Sequence, residues 1–394
     1  MRARVRRDEI EKAARKALAG AGKQLEVFQE GWRKVEYHVR PVLFAAGADR
    51  ISVSGWDLDA AVMVSAPAEV EEEGQAVVDG GDLAGIAARI PEETAEVELK
   101  GEDLVLRAGA KKEWRIRVLE GREAPDWKDR LSGEVASAEI ETQAFQRAIV
   151  AGGRWYDKGQ YWAIGGVLVE ADRAGVLNVV SSDRYRLAWA SAELAAGPGG
   201  AGGARVLVPG RKLALARMFG GERVALAWGE SWLFAADDAG MSIWWRGMEY
   251  AYPDYARVVP SGVEWAAECA PELLEAAARR ALVLGQEERG RVPTMRLSGE
   301  DGGLVVSACG WVGDMEEKVG AELRGRGRAD LNARYLIDLL EMVKDMGKVR
   351  LEFSGRKRPL VVRERMGSVA AVYVVMTRWN EEEEAVGHED REAV

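Results

Sequence analysis

Residues 211–226 read RKLALARMFGGERVAL, a short segment of helical apolar periodicity followed by a polar turn and a Val-x-Leu strand. The same arrangement occurs in DLAGIAARIPEETAEVEL at 82–99 and in ARYLIDLLEMVKDMGKVRL at 333–351. The three Val-x-Leu strands are 127 and 125 residues apart. A common period of about 126 residues, shared by several landmarks, indicates repeated copies of one α+β unit.

Each copy also begins with a predicted helix, over 8–19, 142–151 and 271–284, with apolar residues at i, i+3 and i+4. Asp8 and Thr142 are predicted N-caps, and Pro271 suits a first helical turn. The period predicts three domains followed by a tail. Their bounds are 1–130, 131–260 and 261–379, with an acidic, disordered tail at 380–394.

Charge is unevenly distributed along the 394 residues. The chain has 55 Lys and Arg against 65 Asp and Glu, a net charge of −10 that alone argues against a simple basic nucleic-acid binder. The tail accounts for much of this excess, with seven acids and one Arg. No apolar run approaches the roughly 18 residues of a membrane helix, and the basic N-terminus lacks an apolar signal core, which favours a cytoplasmic protein.

Few residues suit metal or nucleophilic chemistry. Cys269 and Cys309 have no CxxC partner, and His38 and His388 are the only histidines. No cofactor or catalytic residue is predicted. An enzyme using carboxylates such as Asp57 is the competing hypothesis, although these acids more often belong to loops.

Basic residues recur on or beside the predicted helices of all three copies. They are either ordinary solvated faces or one continuous surface facing a polyanion, and their repetition favours the second interpretation. The candidate DNA-facing residues are Lys12, Arg15, Lys16, Arg147, Arg154, Arg211, Lys212, Arg217, Arg279, Arg280 and Arg334.

Three segments carry a resemblance to a known family. SDRYRLA at 182–188 resembles Thr-Asp-Gly-His-Arg-Leu-Ala, and YPDYARVVP at 252–260 resembles Phe-Pro-Asp-Tyr-x-x-Val-x-Pro. YVVM at 373–376 resembles the start of Tyr-Val-Val-Met-Pro. With the three-fold repeat, the chain resembles the bacterial sliding clamp family, the β subunit of DNA polymerase III.

The resemblance implies an α+β fold of three repeated clamp domains in a head-to-tail dimeric ring, with helices lining the inside and sheets outside. Such a homodimer encircles double-stranded DNA without sequence preference. It acts as a processivity factor that tethers the DNA polymerase III alpha subunit, the clamp loader and other proteins carrying a clamp-binding motif. The alternative is a divergent clamp-like accessory or resistance variant with altered partner binding.

The resemblance also implies a groove for partner peptides. Its residues are Ile164, Ser182, Arg184, Tyr185, Arg186, Leu187, Pro253, Arg257, Val258, Pro359, Val374 and Met376. Leu187, Val258 and Val374 could equally be strand core. This chain departs from the family in having Arg184-Tyr185 for Gly-His and no Pro after Met376. The tail begins beside this groove and is a hypothetical regulator of it.

The implied subunit contact places an edge strand of the first domain against a helix of the third. Trp114 and Ile116 are the predicted residues on the first side, and Val283 and Leu284 are those on the second.

Overall fold

The structure, a computed structural model, divides into two compact units. It describes residues 1–30, 33–109, 111–121, 136–159, 162–195, 203–284, 293–300, 302–310, 313–355 and 357–378. Unit 1 comprises Met1–Val150, Gly165–Asn178 and Ala192–Tyr250, and unit 2 comprises Ala151–Ile164, Val179–Ser191 and Ala251–Val394. The predicted bounds at 130 and 260 stay a prediction, and the predicted tail lies outside the described residues.

Helices and strands follow one another in a similar order in each third of the chain. The first third contains β1 Arg2–Arg6, α1 Arg7–Gly20, β2 Gln24–Glu30, β3 Arg33–Val39, β4 Pro41–Gly47, β5 Arg50–Trp56, β6 Ala60–Pro67, β7 Glu69–Glu72, β8 Gly74–Asp79, α2 Gly80–Ala87, β9 Thr94–Lys100, β10 Asp103–Ala108 and β11 Lys112–Arg117.

The second third contains β12 Ala136–Glu141, α3 Thr142–Gly152, β13 Gly166–Ala171, β14 Val176–Ser182, β15 Arg186–Glu193, β16 Ala204–Pro209, α4 Gly210–Leu213, β17 Arg223–Trp228, β18 Trp232–Asp237 and β19 Met241–Arg246. Among the residues that the structure describes, 3₁₀ turns lie at Ala163–Gly165, Ala214–Met218 and Tyr255–Val258.

The last third contains β20 Trp265–Cys269, α5 Pro271–Leu284, β21 Thr294–Glu300, β22 Gly303–Gly310, β23 Gly313–Val319, β24 Glu322–Arg324, β25 Gly327–Asn332, α6 Ala333–Met342, β26 Val349–Phe353, β27 Leu360–Met366 and β28 Val369–Val375. Among the described helices, none combines the length and the apolar character that crossing a membrane requires.

Unit 1 is built on antiparallel sheets. One has the strand order β11-β10-β9-β1-β7, and a larger one has the order β12-β17-β18-β19-β6-β5-β4-β8. In the larger sheet β19 pairs with β6, so strands from the first and second thirds of the chain share one hydrogen-bonded ladder. β13 pairs with β16.

Helix α1 lies directly on strand β5 of the larger sheet. Ala13, Ala14 and Ala17 are buried on its inner face. A Cβ atom on Gly55 would lie 2.1 Å from the carbonyl oxygen of Ala17, so only glycine permits this approach of helix and strand.

Unit 2 contains the strand order β15-β28-β27-β26-β20-β24 and a four-stranded sheet of order β23-β22-β21-β25. Helices α5 and α6 pack against each other. Ala277 and Ala281 of α5 and Leu336 and Leu340 of α6 are buried in its core.

The predicted helices at the start of each copy are confirmed, whereas two predicted N-caps are wrong. Asp8 lies inside the first turn of α1, where it accepts hydrogen bonds from Arg6, the residue at the N-cap position. Thr142 is the first residue of α3, and its buried hydroxyl has no hydrogen-bond partner among the described residues. Both helices begin directly at the end of a strand, so a β-strand sets their start instead of a side-chain cap.

One backbone hydrogen bond recurs after the last strand of each third. The N–H of Leu119 donates to Val77 of β8 at 2.8 Å, and that of Met248 donates to Leu207 of β16 at 2.7 Å. In the last third the N–H of Arg378 donates to Asp330 of β25 at 2.7 Å. In each copy, the chain that follows the last strand is therefore hydrogen-bonded to the strand that precedes the second helix.

Candidate functional site

The tight turn between β14 and β15 forms the centre of the candidate groove. Oδ1 of Asp183 accepts hydrogen bonds from the N–H groups of Tyr185 and Arg186, at 3.1 and 2.9 Å. Ser182 Oγ donates to the carbonyl oxygen of Arg186 at 2.7 Å. Arg184 at the tip has a φ of 78°, in the left-handed region that favours glycine. Holding a side chain there costs about 1–2 kcal/mol.

The guanidinium group of Arg186 links this turn to helix α6. Its Nε and Nη2 donate to Asp183 Oδ2 at 3.0 and 2.8 Å. Its Nη1 donates to Asp338 Oδ2 at 2.5 Å. Only 13% of the Arg186 side chain is exposed, so these charge-assisted bonds replace water around the cation.

Aromatic rings surround the same guanidinium. Its central carbon lies 4.3 Å from the ring centre of Tyr335 and 5.0 Å from that of Trp155, distances at which cation–π attraction operates. Tyr185 extends the stack, with its ring centre 5.9 Å from that of Tyr335. Burial, followed by the nearby Asp183 carboxylate, raises the pKa of Tyr335, so the phenol stays neutral.

A buried layer supports this stack. Tyr373 meets Trp155 edge-on, with 5.8 Å between ring centres. The Tyr373 hydroxyl donates to Glu364 Oε2 at 2.9 Å. Burial is the main reason that the pKa values of both Tyr373 and Glu364 are raised.

Exposed apolar groups lie in this part of unit 2. Tyr185 is 56% exposed, Val258 39% and Met376 38%. The N–H of Met376 donates to the carbonyl oxygen of Tyr185 at 2.9 Å, which ties the end of β28 to the turn. Trp189 of β15 meets Tyr255 edge-on at 5.1 Å, which places the Tyr255–Val258 turn beside β15. Exposed apolar groups among a few fixed polar ones suit an extended peptide.

The remaining predicted groove residues divide into buried and exposed positions. Leu187, Val374 and Pro359 are buried, as strand core would be. Ile164 is half-buried. Pro253 and Arg257 are exposed, and Arg257 pairs with Asp254 at 3.0 Å.

Sequence reasoning missed Trp155, Tyr335 and Asp338. Together with one contact seen in the structure, the repeat locates the helix that carries the last two. Asp57 corresponds to Asp183, and Lys212, two residues after the start of α4, corresponds to Tyr335, two residues after the start of α6. Because Lys212 pairs with Asp57, the repeat places the start of α6 beside Asp183.

Most of the candidate DNA-facing residues of unit 1 are exposed. These are Lys12, Arg15, Arg147, Arg211 and Arg217. The segment 210–218 carries three basic residues and no acid.

Lys16 is held differently, because its Nζ donates to the carbonyl oxygen of Met218 at 2.7 Å, and burial lowers its pKa. It therefore joins α1 to the Ala214–Met218 turn.

Three of the predicted DNA-facing residues form ion pairs within unit 1, and the first of these joins Arg15 to Glu11 at 2.8 Å. Arg211 Nη2 donates to Asp59 Oδ2 at 2.5 Å, and Lys212 pairs with Asp57. Asp57 also accepts the N–H groups of Asp59 and Ala60. Asp57, the carboxylate named for the competing enzyme hypothesis, therefore holds α4 and its own turn. Within the described ranges, no cluster of three potential metal ligands occurs.

The corresponding helices of unit 2 are more balanced in charge. Arg154 and Arg334 are exposed. Arg279 donates to Glu275 and Glu341 at 2.8 and 2.6 Å. Arg280 donates to both carboxylate oxygens of Glu317, at 2.8 and 2.6 Å. These carboxylates offset the positive charge that the sequence alone suggests.

The predicted subunit-contact residues differ in exposure. Trp114 is half-buried on β11, an outer strand of its sheet. Ile116 on the same strand is 4% exposed and contributes to the core of unit 1. Val283 near the end of α5 is 61% exposed, and its neighbour Leu284 is half-buried.

Sequence comparison finds similar proteins that match most of the chain. No protein-family model matches it. It is 29% identical to the beta sliding clamp of Streptomyces coelicolor over 338 residues. This match covers 82% of this chain and 86% of that protein. The Caulobacter vibrioides beta sliding clamp is 27% identical over 320 residues, 76% of this chain and 81% of that protein.

Solved structures show the same fold. The DNA polymerase III beta subunit of Pseudomonas aeruginosa superposes with a TM-score of 0.81 and 22% identity, over 96% of this chain and 100% of that one. The chain is similar to the bacterial beta sliding clamps in sequence and in fold. The beta subunit of Thermotoga maritima gives a TM-score of 0.78 at 17% identity, over 96% of this chain and 99% of that one.

These findings confirm the predicted resemblance and the α+β clamp fold. They give no support to the alternative of a divergent accessory or resistance variant. Another Pseudomonas aeruginosa sliding clamp structure, with the same TM-score of 0.81, contains bound griselimycin.

Proposed function

We propose that this chain is a DNA sliding clamp, a cytoplasmic binding protein without catalytic activity. Two copies join head to tail into a ring around duplex DNA, and the groove at Arg186 takes peptide segments of the proteins that the ring tethers. The observation that carries this proposal is the fold match, which spans 96% of the chain and the full length of a solved beta subunit.

The charge distribution supports contact with DNA phosphates. Exposed Lys and Arg on helices attract the backbone without reading bases, which suits sliding. In the basic segment 210–218, Asp59 and Asp57 hold Arg211 and Lys212, and Arg217 is exposed. Arg279 and Arg280 are paired with acids, whereas Lys12 and Arg217 are exposed and pair with no acid among the described residues. We infer that unit 1 contributes more of the attraction than α5.

The groove supports tethering of partners. Tyr185, Val258 and Met376 offer exposed apolar surface, and the hydrogen-bonded Arg186 fixes the turn beside them. Such preformed surfaces bind extended peptides with little ordering cost. The replicative polymerase alpha subunit and the clamp loader are the partners that we propose.

The ring is supported by open strand edges and exposed apolar groups. β11 is an outer strand of unit 1, and β23 is an outer strand of unit 2 that packs against α5. We propose that Trp114 on one protomer meets the end of α5, with the exposed Val283, on the next.

Light scattering with and without a synthetic peptide that carries a clamp-binding motif tests the proposal. The chain has a mass of 43.1 kDa, and we expect a particle of twice that mass. Added peptide should bind at two sites per particle. A monomer that does not bind the peptide would overturn the proposal.

A further inference from the structure

The Ala214–Met218 turn and the loop that follows it, residues 217–221, carry the exposed Arg217 of unit 1. The last carbonyl groups of any helical turn lack partners within the turn, so other side chains or water must satisfy them. In this loop the partners are side chains of three separate elements, α1, α3 and β18. The loop is therefore held from several sides at the place where Arg217 leaves it.

Gln146 of α3 satisfies two of these carbonyl groups at once. Its Nε2 donates to the carbonyl oxygen of Arg217 at 3.1 Å and to that of Phe219 at 2.8 Å. An amide nitrogen carries two hydrogens, so both donors of Gln146 are used on this loop. The buried Phe219 ring also lies beside Phe145 of the same helix, with 6.1 Å between ring centres. α3 thus holds the loop through polar and apolar contacts.

Lys16 of α1 holds the carbonyl group between these two. Its Nζ donates to the carbonyl oxygen of Met218 at 2.7 Å and lies 3.6 Å from Sδ of Met241. A cation is stabilising at the C-terminal end of a helical turn, where carbonyl oxygens carry partial negative charge. The ammonium group of Lys16 therefore offsets a local field that would otherwise repel a phosphate beside Arg217.

Asp237 at the end of β18 holds the other side of the loop. Its Oδ2 accepts the N–H groups of Gly220 and Gly221 at 2.9 and 3.3 Å. Its Oδ1 accepts those of Ala239 and Met241 at 3.1 and 2.7 Å. Because this carboxylate is 8% exposed, backbone donors replace water around it. The loop is thereby fixed against the turn between β18 and β19.

We propose that Gln146, Lys16 and Asp237 are positioning residues that orient Arg217 towards the phosphates of duplex DNA. A long side chain binds with a smaller ordering cost when the backbone that carries it is already fixed. Lys16, which the sequence placed among the DNA-facing residues, acts on this account through the Met218 carbonyl group and not through contact with DNA. The inference rests on the proposed clamp function.

Gln146→Leu tests the proposal, because it removes both hydrogen bonds to the loop without changing the net charge of the chain. Gln143→Leu is the matched control, since Gln143 is an exposed residue of the same helix. Each change is made in the full-length parent and, separately, in chains that carry Arg217→Gln or Lys12→Met. Lys12 is an exposed cation on α1. Fluorescence anisotropy with a short labelled duplex at low salt gives the affinity of every variant.

We expect Gln146→Leu to weaken DNA binding by at least about twofold in the parent and in the Lys12→Met chain, the lower end of the coupling between interacting residues. In the Arg217→Gln chain it should leave the affinity unchanged, because the side chain that it positions is gone. Gln143→Leu should leave the affinity unchanged in all three chains. A purely structural role of Gln146 would instead weaken binding equally in the Arg217→Gln and Lys12→Met chains.

Hydrogen exchange without DNA tests the anchoring of the loop by itself. The amides of Gly220 and Gly221 should exchange at least about threefold faster in Gln146→Leu than in Gln143→Leu, because the loop opens more often once its two hydrogen bonds are lost. Unchanged exchange, or equal losses of affinity in the Arg217→Gln and Lys12→Met chains, would overturn the proposal alone. A parent chain that does not bind the duplex would overturn the proposed function and this inference with it.

Discussion

Arg186 on β15 donates a 2.5 Å hydrogen bond to Asp338 on α6, while its other nitrogens hold Asp183 in the turn before β15. One side chain thus joins the turn and its own strand to a helix that lies far away in sequence. The exposed Tyr185 ring rests on Tyr335, which also covers this guanidinium. The shape of the candidate groove therefore depends on Arg186.

Replacing Arg186→Leu should lower the free energy of unfolding by about 2 kcal/mol, because two carboxylates lose a charge-assisted partner. Peptide affinity should fall by at least about tenfold, equivalent to 1.4 kcal/mol. Urea unfolding and fluorescence anisotropy with a labelled peptide measure these effects. Arg223→Leu is the control, since its pair with Glu139 is 61% and 53% exposed and should contribute below about 1 kcal/mol. Equal losses in both variants would contradict the role of Arg186.

Arg184→Gly should raise the free energy of unfolding by about 1 kcal/mol, because glycine adopts a φ of 78° without steric cost. Thermal unfolding measures the change. Arg173→Gly, in a turn where φ is not positive, is the matched control and should destabilise slightly through backbone entropy. A loss of stability in Arg184→Gly would show that contacts of the arginine outweigh its backbone strain.

Replacing Arg217 and replacing Arg280 should change the salt dependence of DNA binding by different amounts. Arg217→Gln should reduce the slope of log K against log salt for duplex DNA by about 0.9, the value for one phosphate contact. Arg280→Gln should reduce it by less than half as much, because Glu317 already takes its guanidinium group. Anisotropy titrations with a short duplex at several KCl concentrations give both slopes. A larger effect at Arg280 would contradict the inference that unit 1 dominates the attraction.

Glu364 should make stability fall as pH rises. Burial raises its pKa in the folded state, so its contribution is complete below the unfolded pKa and is lost as pH rises through the folded pKa. Glu364→Gln keeps an acceptor for Tyr373 and should be more stable than the parent at neutral pH, with no difference in acid.

Glu113→Gln provides a control of opposite sign. Hydrogen bonds from Arg107 and Arg115 lower the pKa of Glu113, so its contribution is present above the unfolded pKa and is lost as pH falls. This variant should be less stable than the parent at neutral pH. Melting temperatures from pH 4 to 8 test both variants, and shifts of the same sign would contradict the assignment.

The sequence predicted the repeated elements well, because helical periodicity and alternating strands are local patterns. The helices at 142–151 and 271–284 and the strand at Val349 occur where expected. The caps at Asp8 and Thr142 failed, since the preceding strand determines where each helix starts.

Side-chain partners could not be predicted from the same patterns. The basic residues were read as one surface, but Arg279, Arg280 and Lys212 meet acids from distant segments. Trp155 enters the groove only through the tertiary fold. The repeat was the one sequence feature able to indicate such distant contacts.

The most direct test of the central claim is retention on circular DNA in buffer salty enough to screen ion pairs. After a bacterial clamp loader has assembled the protein on nicked circular DNA, gel filtration should show that it co-elutes with the circle. A single restriction cut should release it, because a ring held only by topology slides off an end. Equal retention on cut and uncut DNA, or no retention on the circle, would contradict the account.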